Sequence, residues 1–442
     1  MSGTRRLTVP EQDTEALITI RFNKRRWLLL LGTLGPGVLA ASAGNDAGGI
    51  ATYATSGAVY GYAMLWVMVF VLIAMSMVQE MCARMGAVTG KGLSSLIRER
   101  FGVRMTAFAM LALLIANSAV VISEFAGVAA AAELLGVTKY VAVPAGAIFI
   151  WALVVRGNYE RVERVLIGLS MLLLTYVVAA FLAKPDWNEV AMSALIPHPP
   201  RVEPGTPTPT FLSGYFLVMI AIVGTTISPW MQFFLQSTIV DKGLTMKNFR
   251  FARLDSLVGT SVSVVIACFI MIATASALYY PAQVPHPLRD AADAAKALAP
   301  VVGHHAEWLF AVGLLGASLL AAAVVPLSTA YAVCEAFGWE VGLSKEFSEA
   351  PAFLGLFTAL IALGAVVVLW PKLPLVLVML VSQDINGILL PVILVFMLRL
   401  VNDRRLMGPY VNGQGYNVVV WGLTYLLVAM TATLVVSSFW PA

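Results

Sequence analysis

Apolar runs long enough to cross the hydrocarbon core of a bilayer, ~20 residues as helix, recur along this chain and are separated mostly by short polar joints. Eleven can be read, at 27–57, 61–86, 105–134, 139–155, 162–183, 211–240, 254–280, 306–335, 352–370, 374–399 and 417–439. A membrane β-strand would instead alternate apolar and polar positions over ~10 residues, so the pattern predicts an all-α integral membrane protein with eleven transmembrane helices. Two of the runs are interrupted at their centres. Span 1 carries Gly35, Pro36 and Gly37 and then "GNDAGG", which places Asp46 among Gly44, Gly48 and Gly49. Span 6, "FLVMIAIVGTTISPWMQFFLQSTIV", carries Gly224, Thr225, Thr226, Ser228 and Pro229.

These interruptions are the main functional signal. A central aspartate costs ~2.5 to 3.5 kcal/mol on insertion scales and marks a site by default. Unwound backbone is tolerated at that depth only where it lines a cavity or meets an ion. Spans 1 and 6 lie five spans apart, and an odd number of helices per unit makes the two units opposite in topology, the arrangement of an inverted-repeat transporter. The expected organisation is a first five-helix repeat at 27–183, an external loop at 184–210, a second repeat at 211–399, and a loop plus eleventh helix at 400–442, preceded by a cytoplasmic segment at 1–26. The blander alternative is two kinked helices with packing glycines or prolines, which leaves the matched positions and the aspartate unaccounted for. Asp46 can also serve as N-cap of a half-helix beginning near Ala47. The two roles are compatible.

Composition agrees with the pattern. Of 442 residues 60% are hydrophobic and only 12% charged, with mean hydropathy +0.85, which excludes a soluble globule. Cytoplasmic loops collect Lys and Arg. An N-terminus inside puts 22 of the 28 basic residues on the cytoplasmic side and 6 outside, so the net charge of +4 reflects topology and no nucleic-acid patch is read from it. The expected location is a bacterial-type cytoplasmic membrane with the C-terminus, "SSFWPA", external. The first twenty residues have no apolar core beside Arg5 and Arg6 and do not read as a cleaved signal.

Cys82, Cys268 and Cys334 lack metal spacing and read as buried small hydrophobes. His198, His286, His304 and His305 all fall in expected external loops. With no nucleophile and base cluster, no P-loop and no joint long enough for an output domain, an enzyme or a metal sensor is disfavoured. A secondary transporter with no resident cofactor and no obligatory protein partner is the expectation.

Five stretches resemble the Nramp family of divalent-metal transporters. "GPGVLAASAGNDAGGIAT" is similar to its first helix, where Gly-Pro-Gly precedes an Asp-Pro-Gly-Asn break. "QEMCARMGAVTGKGLSSLIRERFG" is similar to its Gln-x-x-x-x-Arg-x-Gly-x-x-Thr-Gly-Lys signature, "SEFAGVAAAAELLG" to the Glu-x-x-Gly of its third helix, "VGTTISPWM" to its Ala-Thr-Val-Met-Pro-His-Asn, and "LVSQDINGILLP" to the Ser-Gln and Leu-Pro of its tenth.

The resemblance implies a LeuT-like fold of five plus five inverted helices with an eleventh appended, and a metal site at Asp46, Gly49, Thr225, Ser228 and Gln383. Gly49 replaces an amide ligand and is expected to leave room, and Ser228 replaces a thioether. An oxygen-only donor set suits a hard ion that keeps several waters. The expected cargo is therefore Mg²⁺, with Mn²⁺ also accepted, as in the Nramp-related magnesium transporters. Of the family's proton-path positions, Glu124 is retained while Val121 and Trp230 cannot titrate. Uncoupled transport is expected, against the alternative of a proton-coupled Mn²⁺ or Fe²⁺ importer.

Overall fold

The computed structural model describes residues 36–157, 159–197, 208–282, 285–286, 288, 305–343 and 345–439. The segment 1–26, the first residues of span 1 including Gly35, the joint residues 198–207 with His198, the stretch 289–304 with His304, and the last three residues lie outside the described residues. Everything described is helix or connection.

Local chemistry accounts for both central breaks. The first half-helix, α1 (Pro36–Ser42), starts with proline at its first position, where a missing N–H removes no intrahelical bond. It closes through tight turns in which Gly44 N donates to Ala41 O and Asn45 N to Ser42 O, both at 3.1 Å. The chain restarts as α2 (Ala47–Tyr60) with Asp46 as N-cap, its backbone extended at φ −73°, ψ 178°.

Next come α3 (Leu65–Thr89), ended by Gly90 in the left-handed region at φ 63°, and α4 (Leu93–Leu134), two helical pieces joined at Gly102 with φ 79°. The order continues with α5 (Lys139–Val155), α6 (Tyr159–Ser170) leading through a tight turn into α7 (Leu174–Leu182), and α8 (Trp187–Leu195). The second broken span is α9 (Thr208–Thr226) followed by α10 (Pro229–Asp241). Pro229 forces the residue before it out of the helical region, and Ser228 sits at φ −58°, ψ 138°.

The remainder is α11 (Phe249–Thr274), which runs on through a wide turn to Ala282, then α12 (His305–Phe337), α13 (Pro351–Val368), α14 (Leu375–Val401), the short α15 (Arg404–Met407) and α16 (Gln414–Phe439). Among the described residues eight helical stretches are long and apolar enough to cross a membrane, and α5 is a shorter apolar helix of 17 residues. The sequence boundaries hold within a few residues, with two differences. Span 3 is longer than expected because Gly102 joins a preceding helix to it, and the expected loop at 184–210 contains α8, which Asp186 caps by accepting from Asn188 N at 2.9 Å.

The bundle turns large apolar side chains outward. Phe108, Leu111 and Ile115 of α4, Val366 of α13 and Val418 of α16 are all more than half exposed, as helices in lipid require and as a water-soluble surface avoids. Inside, glycine sets how closely helices cross. A Cβ built on Gly224 of α9 would stand 2.5 Å from Gly387 Cα of α14, and one on Gly37 of α1 would stand 2.6 Å from Ser256 N of α11. Small residues at such crossings let backbones meet, which is how membrane helices pack without a hydrophobic drive between them.

The α9 crossing carries the second break, so its spacing has a measurable consequence. Gly224→Val is expected to lower stability by about 1–3 kcal/mol through overpacking, whereas Gly168→Ala, where an added Cβ meets nothing within 4 Å, leaves it unchanged. Thermal melting of the two purified variants in detergent checks this.

Candidate metal site at the paired helix breaks

The two breaks face each other, and Asp46 lies between them with no solvent-accessible surface. As N-cap of α2 its Oδ1 accepts from Gly49 N at 2.5 Å, which meets one of the free N–H groups of the helix start. From α14, the Gln383 side-chain amide donates to Oδ1 at 3.2 Å and to Oδ2 at 3.3 Å. From the end of α9, the Thr225 hydroxyl reaches Oδ1 at 3.5 Å. Among the described residues these partners are all neutral. A buried carboxylate surrounded by neutral donors is an acceptor for a cation.

Gln383 is itself oriented. Asn386, one turn along α14, donates to its Oε1 at 3.1 Å, which turns the amide N–H groups toward Asp46. Gly48 makes the approach possible, because any side chain there would collide with the Gln383 amide. Gln383 therefore stands on the carboxylate as a donor in this arrangement, and its oxygen faces Asn386.

The expectation for Gly49 is corrected by the geometry. A Cβ at that position would stand 2.8 Å from Thr225 Oγ1 and 3.0 Å from Asp46 Oδ1. The threonine hydroxyl and the carboxylate already occupy the space a side chain would enter, so glycine here lies in a compact setting and not a roomy one. Ser228 is near but turned away. Its hydroxyl donates to the carbonyls of Thr225 at 2.8 Å and Gly224 at 3.0 Å, a local back-bond of a residue at a broken helix end.

The structure separates the three altered proton-path positions. Glu124 of α4 is fully buried, and its Oε2 accepts from Ala47 N at 3.0 Å, the first N–H of α2. Val121, one turn earlier, packs toward α13, where a Cβ on Gly364 would stand 2.9 Å from its Cγ1. Trp230 is wholly buried in the first turn of α10, with its carbonyl accepting from Ser328 Oγ at 2.7 Å.

Two further residues escaped the sequence reading. The Met231 thioether lies against Gly44 in the first break, in the place where a Cβ would project. Tyr53 of α2 bonds the Thr226 hydroxyl at 2.7 Å, and Thr226 in turn donates to Ile222 O at 2.7 Å. Tyr53 lies seven residues beyond Asp46 on the same helix, so its facing was a possible signal. Nothing in the sequence near Met231 points to Gly44.

Polar and aromatic contacts join the helices on both sides of the breaks. At the end where α2 finishes, Tyr60 and Tyr215 meet edge-on with ring centres 5.3 Å apart, Tyr62 bonds Ser276 at 2.7 Å, and Tyr280 donates to Glu189 of α8 at 2.7 Å. At the end where α1 begins, Ser94 donates to Glu335 at 3.0 Å, Gln236 to Lys91 O at 2.8 Å, and Tyr331 to Asp241 at 2.9 Å.

The crowding at Gly49 makes a testable pair. Gly49→Asn alone is expected to cost about 1–3 kcal/mol of stability by overpacking, and adding Thr225→Ala is expected to recover most of it. Melting curves of the single and double variants without divalent metal read the coupling.

Comparison with known proteins finds relatives over nearly the whole chain. A family model described as Natural resistance-associated macrophage protein-like matches residues 37–437. Among curated relatives, the divalent metal cation transporter MntH of Deinococcus radiodurans is 29% identical over 443 residues, covering 96% of this chain and 95% of the relative. MntH of Bacillus subtilis is 27% identical over 425 residues, covering 93% of each. Among solved structures, the Eremococcus coleocola manganese transporter in complex with an aromatic bis-isothiourea compound matches with TM-score 0.72 at 22% identity, over 98% of this chain and 93% of that one. Mhp1, a nucleobase-cation-symport-1 family transporter, matches with TM-score 0.52 at 14% identity, over 92% and 94%. The structural matches establish a LeuT-like fold.

Proposed function

This chain belongs to the Nramp family, and on that premise we propose that it is a secondary transporter that moves Mg²⁺, and Mn²⁺ beside it, through a site built on Asp46. Divalent-metal transport is the coarser statement and follows from the family. The observation that carries the site is the Asp46 carboxylate, fully buried where both broken helices meet and held by neutral donors only. A dication gives that charge its partner, with Asp46, the Thr225 hydroxyl and neighbouring carbonyls as oxygen donors. Ser228 contributes by rotating its hydroxyl off the Thr225 carbonyl, and Gln383 by releasing the carboxylate.

The preference for Mg²⁺ is argued from donor hardness. The sixth-helix sulfur position is Ser228 and the amide position is Gly49 with Thr225 against it, so the donors are oxygens, which suit Mg²⁺ and Mn²⁺ better than soft ions. The names of the relatives, a divalent metal cation transporter and a manganese transporter, favour Mn²⁺ as cargo, as in the second reading of a proton-coupled Mn²⁺ importer. We take flux to be uncoupled, because a proton gradient is harnessed only through a group whose protonation changes during the cycle, and Val121 and Trp230 supply none.

Alternating access would require the contacts at the two ends of the bundle to open in turn. The distribution of Lys and Arg supports a cytoplasmic N-terminus, and the division into repeats at 27–183 and 211–399 supports paired motion of the two halves. Each charge moved through the membrane potential contributes about 2.3 kcal/mol per 100 mV, so a dication is drawn inward with twice that.

The test is uptake into proteoliposomes holding this protein alone. Wild type is expected to take up Mg²⁺ and Mn²⁺ at a clamped negative potential without luminal acidification above a protein-free control. Asp46→Ala is expected to reduce uptake to that control while the protein still purifies as folded material. Wild-type uptake by Asp46→Ala removes the site assignment, and metal-dependent acidification restores the proton-coupled manganese reading. Exclusion of Mg²⁺ with uptake of Mn²⁺ and Fe²⁺ overturns the ion preference alone.

A further inference from the structure

We propose that Glu124 is a positioning residue: it aims Asp46 by capping the Ala47 N–H, a bond this chain can make only because Ala47 stands where the family's Asp-Pro-Gly-Asn break has proline. The inference rests on the reading of Asp46 as a metal ligand and adds what holds it in place.

The geometry centres on one peptide group. The Asp46–Ala47 peptide is planar and is held at both ends, with Ala47 N donating to Glu124 Oε2 at 3.0 Å and Asp46 O accepting from Ile50 N at 2.9 Å. Holding that plane restrains ψ of Asp46, which is 178°, and with it the direction from which the side chain leaves the backbone. Glu124 reaches Ala47 because α4 lies against the start of α2. Gly127, three residues on, leaves no space for a side chain between Ala47 and Ser318 of α12. Proline at position 47 has no N–H to offer, so the bond is lost and the Glu124 carboxylate turns aside from the ring.

The role needs an acceptor oxygen and no change of protonation. It accounts for a buried glutamate persisting in α4 although Val121 and Trp230 have removed its partners for proton movement. Glu124 Oε1 is buried with no hydrogen-bond partner among the described residues, so capping is the one bond the carboxylate is seen to make.

Ala47→Pro deletes the donor and leaves Glu124 in the chain. Asp46 already has the extended backbone that a residue before proline requires, and proline is well accepted at a first helical position, so the helix is expected to form. The experiment measures Mn²⁺ uptake in proteoliposomes at a clamped potential for wild type, Ala47→Pro, Glu124→Ala, Glu124→Gln and the Ala47→Pro/Glu124→Ala double variant.

Ala47→Pro and Glu124→Ala are each expected to raise KM about tenfold, the scale of one lost cap, with maximal rate within about twofold. The double variant is expected to be no worse than Ala47→Pro, since both remove the same bond. Glu124→Gln keeps an acceptor, so its KM is expected to rise only about threefold, with a wild-type pH profile of uptake. A wild-type KM in Ala47→Pro, or additive effects in the double variant, overturns the proposal. So does Glu124→Gln matching Glu124→Ala with a flattened pH profile, which would assign Glu124 to proton transfer. Should Glu124→Ala fail to fold, Ala47→Pro decides alone. If Asp46→Ala retains uptake, the site reading itself has failed, which is a separate outcome from failure of this cycle.

Discussion

A carboxylate buried in a membrane bundle must be given partners, and the centre of this molecule is arranged to meet that requirement at Asp46. The charge cannot be left bare in a medium of low dielectric. The helix is therefore interrupted so that the Gly49 N–H points at it, Gln383 is turned by Asn386 to donate to both of its oxygens, and Thr225 presents a hydroxyl. Each of these needs glycine somewhere. Gly48 admits Gln383, Gly49 admits Thr225, and Gly224 admits the α14 backbone that carries Gln383. The glycines of the breaks thus serve close approach more than flexibility.

The half-helices of span 1 are held by acidic residues from elsewhere in the chain. Asp255 of α11 accepts from Gly37 N at 2.6 Å and Val38 N at 3.3 Å at the start of α1, and Glu124 of α4 accepts from Ala47 N at the start of α2. Breaking a helix in lipid exposes N–H groups at a new start, and a carboxylate on a neighbouring helix satisfies them with a charge that the helix dipole favours. The two helix starts are thus capped from different helices, although α11 packs along both halves of span 1.

The space between the two breaks is small and filled. Replacing an amide side chain by glycine does not by itself enlarge a pocket when a threonine hydroxyl from the facing break moves into the same space. The exchange keeps the volume filled and leaves oxygen as the donor chemistry. Met231 returns a thioether to the neighbourhood, but against Gly44 and three residues away from the family's sulfur position. Its methyl packs on the backbone, where it acts as a hydrophobic contact between the two breaks.

What could be read from the chain follows from costs that are local. Twenty apolar residues, a proline or glycine inside them, and an aspartate at their centre each have a penalty set by lipid alone, so the helical class, both breaks and an aspartate at the first of them were legible without coordinates. Even α8 had a local sign in Asp186 followed by Trp-Asn-Glu, overlooked because a polar joint was read as loop. Partnerships across the bundle were not legible. Gln383 meets Asp46 across 337 residues of chain and Glu124 meets Ala47 across 77. A residue type names the bonds a side chain can make, but the direction in which it leaves its helix relative to another helix depends on how all the helices pack. For the same reason the sequence suggested space at Gly49 while the fold put Thr225 there, and it marked Glu124 as a remnant of proton transfer while the fold set it on the N–H of Ala47. Composition and pattern determined that a charge is buried in the membrane and where; only tertiary packing decided which atoms answer it.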